Sequence, residues 1–295
     1  MVLRRKLPVL WATLGGALVA AMMVAAAFFV FVQSGEAAPQ AADKQPSAFV
    51  TPKSPLIVGG SAVPNGEYPF VAYVQLYSNG KPNGFCAGSL IDQDSVLTAA
   101  HCLTNTTGAV VVVGRSDLRN RNQGQEIGAS RPFIHPRFNV NTAVYDAGVL
   151  KLRRAVKGIK PIKLATATQN NLEIPGHILT AAGWGAVEQR PDMLPSRMHE
   201  VSVPVVSDSS AKRAYQQSQA PPYVPSLMVA AGQKGKGPCF GDSGAPLFDS
   251  GSRIQVGIDS RYAVQKCAAQ ARYPEVFTEV NNPEIRNFIV AAAKR

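Results

Sequence analysis

An all-β fold with one C-terminal helix is what the sequence predicts, and two observations carry that expectation. After residue 56, short apolar runs recur between turn residues: VAYVQLY, SVLTAA, AVVVVG, AGVLKL, HILTAAGW, EVSVPVV, RIQVGI and EVFTEV. Their length is that of strands and their spacing suits a barrel or a sandwich. The last segment breaks this texture. Asn282 suits a helix cap, Pro283 the first helical position and Glu284 the positive end of the helix dipole. Ile285, Phe288, Ile289 and Ala292 then fall on one face of an amphipathic helix. No fixed period marks a solenoid or propeller.

Composition agrees with a folded body preceded by a targeting segment. At 46% hydrophobic and 17% charged residues the chain is neither disordered nor collagen-like, and 295 residues are enough to bury a core. Arg4, Arg5 and Lys6 precede 24 uncharged residues, Val9 to Val32. A basic start followed by such a stretch reads as an export signal, either cleaved near Gly35-Glu36-Ala37-Ala38 or kept as an anchor, so that residues 1–32 send the rest out of the cytoplasm. Membrane contact is expected only through residues 9–32 if they are retained. Residues 33–56, rich in Pro, Ala, Gln and Ser, read as a linker or pro-segment.

The net charge of +11 belongs mostly to the body, since removing residues 1–56 leaves 25 basic against 17 acidic residues. The basic residues are scattered, without a run of five or aromatic interleaving. That excludes specific nucleic-acid binding and leaves an anionic surface partner as an open expectation. Cys86, Cys102, Cys239 and Cys267 in an exported chain predict two disulfides, with three pairings open by counting alone. Without a CxxC or a paired HxxxH, no metal and no other cofactor is expected.

His101 in SVLTAAHC, Asp146 in VYDAGVLKL and Ser243 in CFGDSGAPL each stand beside an apolar run. A hydroxyl nucleophile needs a neutral imidazole to take its proton and a carboxylate to orient that imidazole, so these residue types suit acyl transfer. Their order, and Ala245 in place of the second glycine of G-x-S-x-G, argue against an α/β-hydrolase. His135, His177 and His199 lack such a context and read as surface or core residues.

Seven segments, IVGGSAVPNGEYPFVAYVQ, FCAGSLIDQDSVLTAAHC, YDAGVLKL, TAAGWG, EVSVPVV, CFGDSGAPLF and YPEVFTEV, stand in the order seen in secreted serine proteases of the trypsin and chymotrypsin family, which the chain resembles from Ile57 to its end. The resemblance implies two six-stranded antiparallel barrels, at about 57–163 and 164–295, with the active site in the cleft between them. It implies the pairings Cys86–Cys102 and Cys239–Cys267, protein or peptide substrates, an activating protease and a monomer. Carried over by position, Ser243 would be the nucleophile, His101 the base and Asp146 its orienting acid. The amides of Gly241 and Ser243 would form the oxyanion hole, and Asp242 would pair with the α-ammonium of Ile57 once the chain is cut.

Several positions depart from the family's pattern. Leu56 stands before the cut where Arg or Lys is usual, with Lys53 nearby, so activation falls to an enzyme preferring apolar residues or to trimming after Lys53. Gly237 occupies the position of the usual pocket Asp, while Glu275 replaces a pocket glycine. The resemblance then implies a mixed basic and aromatic preference, with a chymotrypsin-like preference as the alternative. Ser260 resembles the serine that supports Asp146, while Arg261 and Tyr262 replace Trp and Gly. Tyr262 would narrow the pocket mouth and Arg261 would favour acidic groups along the substrate. In RSDLRNRNQGQE, with three Arg and two acids, a basic exosite is expected rather than calcium. A non-catalytic binding protein on the same scaffold is the competing reading.

Overall fold

The computed structural model describes residues 58–186, 194–262, 267 and 273–295. Ile57 and the targeting and pro-segments lie outside the described residues. After a two-residue strand, β1 (Ser61–Ala62), the first barrel is built from β2 (Val71–Ser78), β3 (Lys81–Asp92), β4 (Ser95–Thr98), β5 (Gly108–Val113), β6 (Gln125–Ile134) and β7 (Gly148–Leu152). They close antiparallel in the order β2-β3-β4-β7-β6-β5. The β2–β3 hairpin shows how local sequence sets register. Asn79 and Gly80 both take positive φ, 50° and 74°, the geometry of a two-residue turn whose twist matches the strands. This pairs Ser78 with Lys81 and, after a bulge, Val74 with Cys86.

The second barrel comprises β9 (Ile178–Gly183), β10 (His199–Val206), β11 (Met228–Ala231), β12 (Pro246–Asp249), β13 (Ile254–Arg261) and β14 (Glu275–Glu279). Its order is β9-β10-β11-β14-β13-β12, and β12 returns to β9 to close it. A short β8 (Lys163–Leu164) lies parallel to β13. The expected fold of two six-stranded antiparallel barrels is what the chain adopts.

Local readings fail at two kinds of place. The last two alanines of SVLTAA leave the sheet after Thr98, and Ala100–Leu103 turn into the short helix α1. A second helix, α2 (Asp208–Gln216), follows β10 in the polar segment DSSAKRAYQ, started by Ser207, whose hydroxyl accepts from the Ser210 amide. Only Ala211, Ala214 and Tyr215 of α2 are buried, too few to give an apolar stripe in the sequence.

The barrels meet through apolar and polar contacts. Phe248 of β12 stands edge-on to Tyr68 and Phe70, with centroids at 5.0 and 5.3 Å. Buried Ser89 of β3 donates to Gln255 of β13 at 2.7 Å. The terminal helix α3 (Pro283–Ala293) is capped by Asn282, which accepts from the Glu284 and Ile285 amides. It lies on the first barrel. Ile285, Ile289 and Ala292 enter that barrel's core, and Lys151 of β7 holds the Ala293 carbonyl at 2.7 Å. Phe288 is only partly buried and lies edge-on to the buried ring of His135.

A polar cluster lies under the second barrel. Asn281 donates to Glu173 at 3.1 Å, and the Glu173 charge acts on Glu279 of β14. Burial first, and then the Glu173 and Asp208 charges, raise the Glu279 carboxyl above the ordinary range; burial raises Glu173 as well. The native state thus holds a proton that the unfolded chain releases, so this pair's contribution to stability is fullest at low pH and declines as pH rises through neutrality. We expect Glu279→Gln to lessen that decline, read as a smaller loss of urea midpoint between about pH 5.5 and about pH 8.5. Ile289→Ala, which empties a fully buried site under α3, is expected to cost about 2–5 kcal/mol in the same measurement.

Candidate active site

His101 follows β4 on α1, and Asp146 precedes β7, the strand that pairs with β4. This neighbouring pair brings the two side chains together. The Asp146 carboxylate is fully buried and accepts from three donors: the His101 amide at 2.8 Å, His101 Nδ1 at 2.7 Å and Ser260 Oγ at 2.7 Å. Its bond to Nδ1 places the neutral ring's lone pair on Nε2, on the side available to a proton donor. Burial opposes charge on His101, but the Asp146 carboxylate outweighs it and lifts the imidazole above its ordinary value. The ring remains 31% exposed at the cleft.

Ser243 belongs to the segment before β12, and that segment is held from both barrels. Its carbonyl accepts from the Ala87 amide of β3 at 2.8 Å, and the Gly244 amide donates to the Asp259 carbonyl of β13 at 2.8 Å. Gly244 has φ +85°, and a Cβ there would meet Ala99 N at 3.0 Å and, closer still, Thr98 Oγ1 and the Ala87 carbonyl. Any side chain would force the segment off the first barrel. Cys86–Cys102 ties β3 to α1 beside His101, and Cys239–Cys267 anchors the segment's start.

The amides alternate along this turn. Those of Asp242 and Gly244 donate to Cys239 and Asp259 carbonyls, whereas those of Gly241 and Ser243 bond no protein acceptor among the described residues. Gly241 takes φ +96°, a conformation that favours glycine, and a Cβ there would meet the Phe85 ring at 2.6 Å. Two uncommitted N–H groups flanking a serine hydroxyl can stabilise a developing oxyanion.

Asp242 turns inward and is 1% exposed. It accepts from Gly185 N at 2.8 Å and Cys239 N at 2.9 Å, and burial pushes its carboxyl up to about 6 against those bonds. Gly183 and Gly185 make room for it, since a Cβ on either would strike the carboxylate. Its expected partner Ile57 is outside the described residues. The next residue, Val58, accepts from the Gly237 amide at 3.2 Å and lies against Cys239, Cys267 and Ala186.

Of the expected pocket residues, Gly237 and Glu275 come together. Glu275 is 4% exposed, and a Cβ on Gly237 would meet its carboxylate, with Cδ at 2.7 Å. Tyr262 stands edge-on to Phe240 at 6.0 Å, with its hydroxyl buried while the residue remains partly exposed. Ser260 serves Asp146. Arg261 departs from expectation: its guanidinium donates to the Pro221 and Pro222 carbonyls, at 2.9 Å each, and covers the Tyr215 ring, so it does not reach along the cleft.

The expected basic exosite is likewise weakened. Arg115 is buried and donates to the Gln123 carbonyl, and Arg119 is paired with Asp117 at 2.7 Å. Among the described residues one group of potential metal ligands gathers, Cys86, His101 and Cys102. Its two sulfurs form a disulfide and offer no thiolate. The sequence reading overlooked Asp259, 1% exposed on β13. An acid inside the apolar run RIQVGIDS was the available signal.

Residues 57–289 match the family model described as Trypsin. Serine protease 28 of Mus musculus is 32% identical over 220 residues, 70% of this chain and 79% of that protein. Trypsin delta of Drosophila melanogaster is 30% identical over 242 residues, covering 80% and 88%, and Trypsin Blo t 3 of Blomia tropicalis is 30% identical, covering 77% and 82%. A solved structure of HL collagenase superposes with TM-score 0.68 at 24% identity, over 81% of this chain and 99% of that one, a likeness of fold. The chain belongs to the trypsin family of serine endopeptidases.

Proposed function

We propose that the protein is an exported endopeptidase, activated by a cut before Ile57, that hydrolyses peptide bonds through an acyl-enzyme on Ser243. The observation that carries this reading is the buried Asp146, bonded at once to the amide and ring of His101 and to Ser260. His101 Nε2 takes the Ser243 proton as the hydroxyl attacks the carbonyl carbon, and returns it to the leaving amine. The Gly241 and Ser243 amides receive the oxyanion that forms only along this path. Losing one such donor typically costs about 2.7–4 kcal/mol of barrier. Water, deprotonated by the same imidazole, then releases the acyl group.

Activation follows from charge burial. The Asp242 carboxyl is buried with two amide donors and no cation among the described residues. An α-ammonium at Ile57, one residue from the Val58 carbonyl already bonded to Gly237, would supply that cation and fix the Gly241–Ser243 turn. Glu275 beneath Gly237 supports a preference for Lys, Arg and aromatic residues before the scissile bond. Its carboxylate would pair with a cation, while its methylenes still admit an aromatic ring.

We expect protein beginning at Ile57 to cleave a peptide library after Lys, Arg and aromatic residues, and Ser243→Ala to abolish cleavage. Cleavage unaffected by Ser243→Ala would overturn the mechanism, and cleavage only after Leu, Phe or Tyr the preference. kcat/KM should fall as pH falls through the raised His101 pKa, because the protonated ring accepts no proton. Carbamylation of the Ile57 amine is expected to lower activity at least about a hundredfold. Full activity of the carbamylated protein would sink the activation pair.

A further inference from the structure

The cleft holds more buried acid than the chemistry above uses. The backbone of Asp259 is engaged on both sides, its amide donating to the Ala245 carbonyl at 2.9 Å and its carbonyl accepting from Gly244. It is therefore fixed against the segment that carries Ser243. Its carboxyl is less well served. Oδ1 is buried and has no hydrogen-bond partner among the described residues. A carboxyl oxygen kept from water without a donor is costly and calls for one.

The groups that act on Asp259 come from several elements. Asp242 lies in the Ser243 segment, Asp146 and His101 on the first barrel, and the Ser260 amide on its own strand. Tyr215 of α2 and Tyr262 also lie within its influence. His101 is the one group among these that can take up positive charge, and its Nδ1 is committed to Asp146. Arg261 is turned to the Pro221 and Pro222 carbonyls. The Tyr262 hydroxyl is buried without a partner among the described residues, and the charges that act on it are those of Asp259, Glu275 and Asp242, in that order. Strands β13 and β14 are paired, Asp259 opposite Phe277, two positions beyond Glu275. Two neighbouring strands thus carry two buried acids, Glu275 against Gly237 and Asp259 against the Ser243 turn, and the charges of both act on the buried Tyr262 hydroxyl.

We propose that Asp259 is a second acid of the substrate pocket, acting with Glu275 to bind the ammonium or guanidinium group of a basic residue before the scissile bond. This rests on the reading of Glu275 as a pocket acid. Burial first and then the Asp242 charge keep the Asp259 carboxyl protonated well above the usual carboxylate range. An entering cation favours the carboxylate, so binding releases that proton to solvent and forms the ion pair, with the Tyr262 hydroxyl free to donate to the new charge. An aromatic side chain is served by the protonated form. The ratio of basic to aromatic cleavage therefore rises with pH, and the ionisation of His101, common to both substrates, cancels in that ratio.

The test uses protein beginning at Ile57 and two peptides differing only in Arg or Phe before the scissile bond. The ratio of their kcat/KM values is followed from about pH 5 to about pH 9. We expect the parent ratio to rise with pH. Asp259→Asn should lower it at least about tenfold and flatten it, with cleavage after Phe retained. If Asp259→Asn keeps the parent ratio and slope while Glu275→Gln abolishes cleavage after Arg, the proposal fails and Glu275 stands as the sole pocket acid. Absence of Arg cleavage by the parent overturns both. Should Asp259→Asn not fold, binding of benzamidine to the Ser243→Ala, Glu275→Gln protein is measured calorimetrically at about pH 8 in buffers of different ionisation enthalpy. Proton release supports Asp259 as the responding group, and binding without proton exchange overturns it.

Discussion

The cleft depends on keeping one carboxylate charged where there is no water. Asp146 is fully buried, and its charge is tolerable because three donors converge on it. Two come from His101 on the first barrel and one from Ser260 on the second. Neither barrel alone completes the set, so the arrangement that orients the imidazole also reports that the two barrels are docked. The contacts of Phe248 with Tyr68 and Phe70, and of Ser89 with Gln255, hold that docking at a distance from the chemistry. They contribute to the site by fixing positions, without touching a substrate.

A contrast in charge follows from the same geometry. The chain as a whole is strongly basic, at +11, yet the cleft gathers Asp146, Asp242, Asp259 and Glu275, all buried. Buried like charges raise one another's cost, and each needs its own remedy. Asp146 has three donors, and Asp242 has two backbone amides. Asp259 keeps its proton. The acids are therefore a set of separately balanced groups, each held by its own donors or its own proton.

Much of this was legible in the sequence because local patterns and the site coincide. His101 and Ser243 sit beside strand-like runs or a glycine-rich turn, and the eight apolar runs mark strands of both barrels. What was not legible depended on partners distant in sequence. α2 has three buried residues, and its helical character rests on a cap and on the second barrel beneath it. Strand β11 is a four-residue apolar stretch, MVAA, without alternation, and pairing with β10 and β14 makes it a strand. Arg261 reads as a free cation at a cleft until the carbonyls of Pro221 and Pro222, about forty residues upstream, claim it. Asp259 shows in the sequence as an acid inside the apolar run RIQVGIDS, but the Ser243 segment and the Glu275 strand that give it a setting lie elsewhere in the chain.

The placement of α3 bears on the order in which the molecule can be made. The last elements of the chain, Ile285 through Ala293, complete the core of the barrel that was made first. A polypeptide emerging from its N terminus therefore carries an open first barrel, its Ile285 and Ile289 sites unfilled, until α3 has been made. Ser260, the third donor to Asp146, also arrives late. A chain that stops before β13 and α3 therefore lacks both the plug of the first barrel and the strand whose Ser260 locks Asp146, so the imidazole is not fully oriented until both are in place.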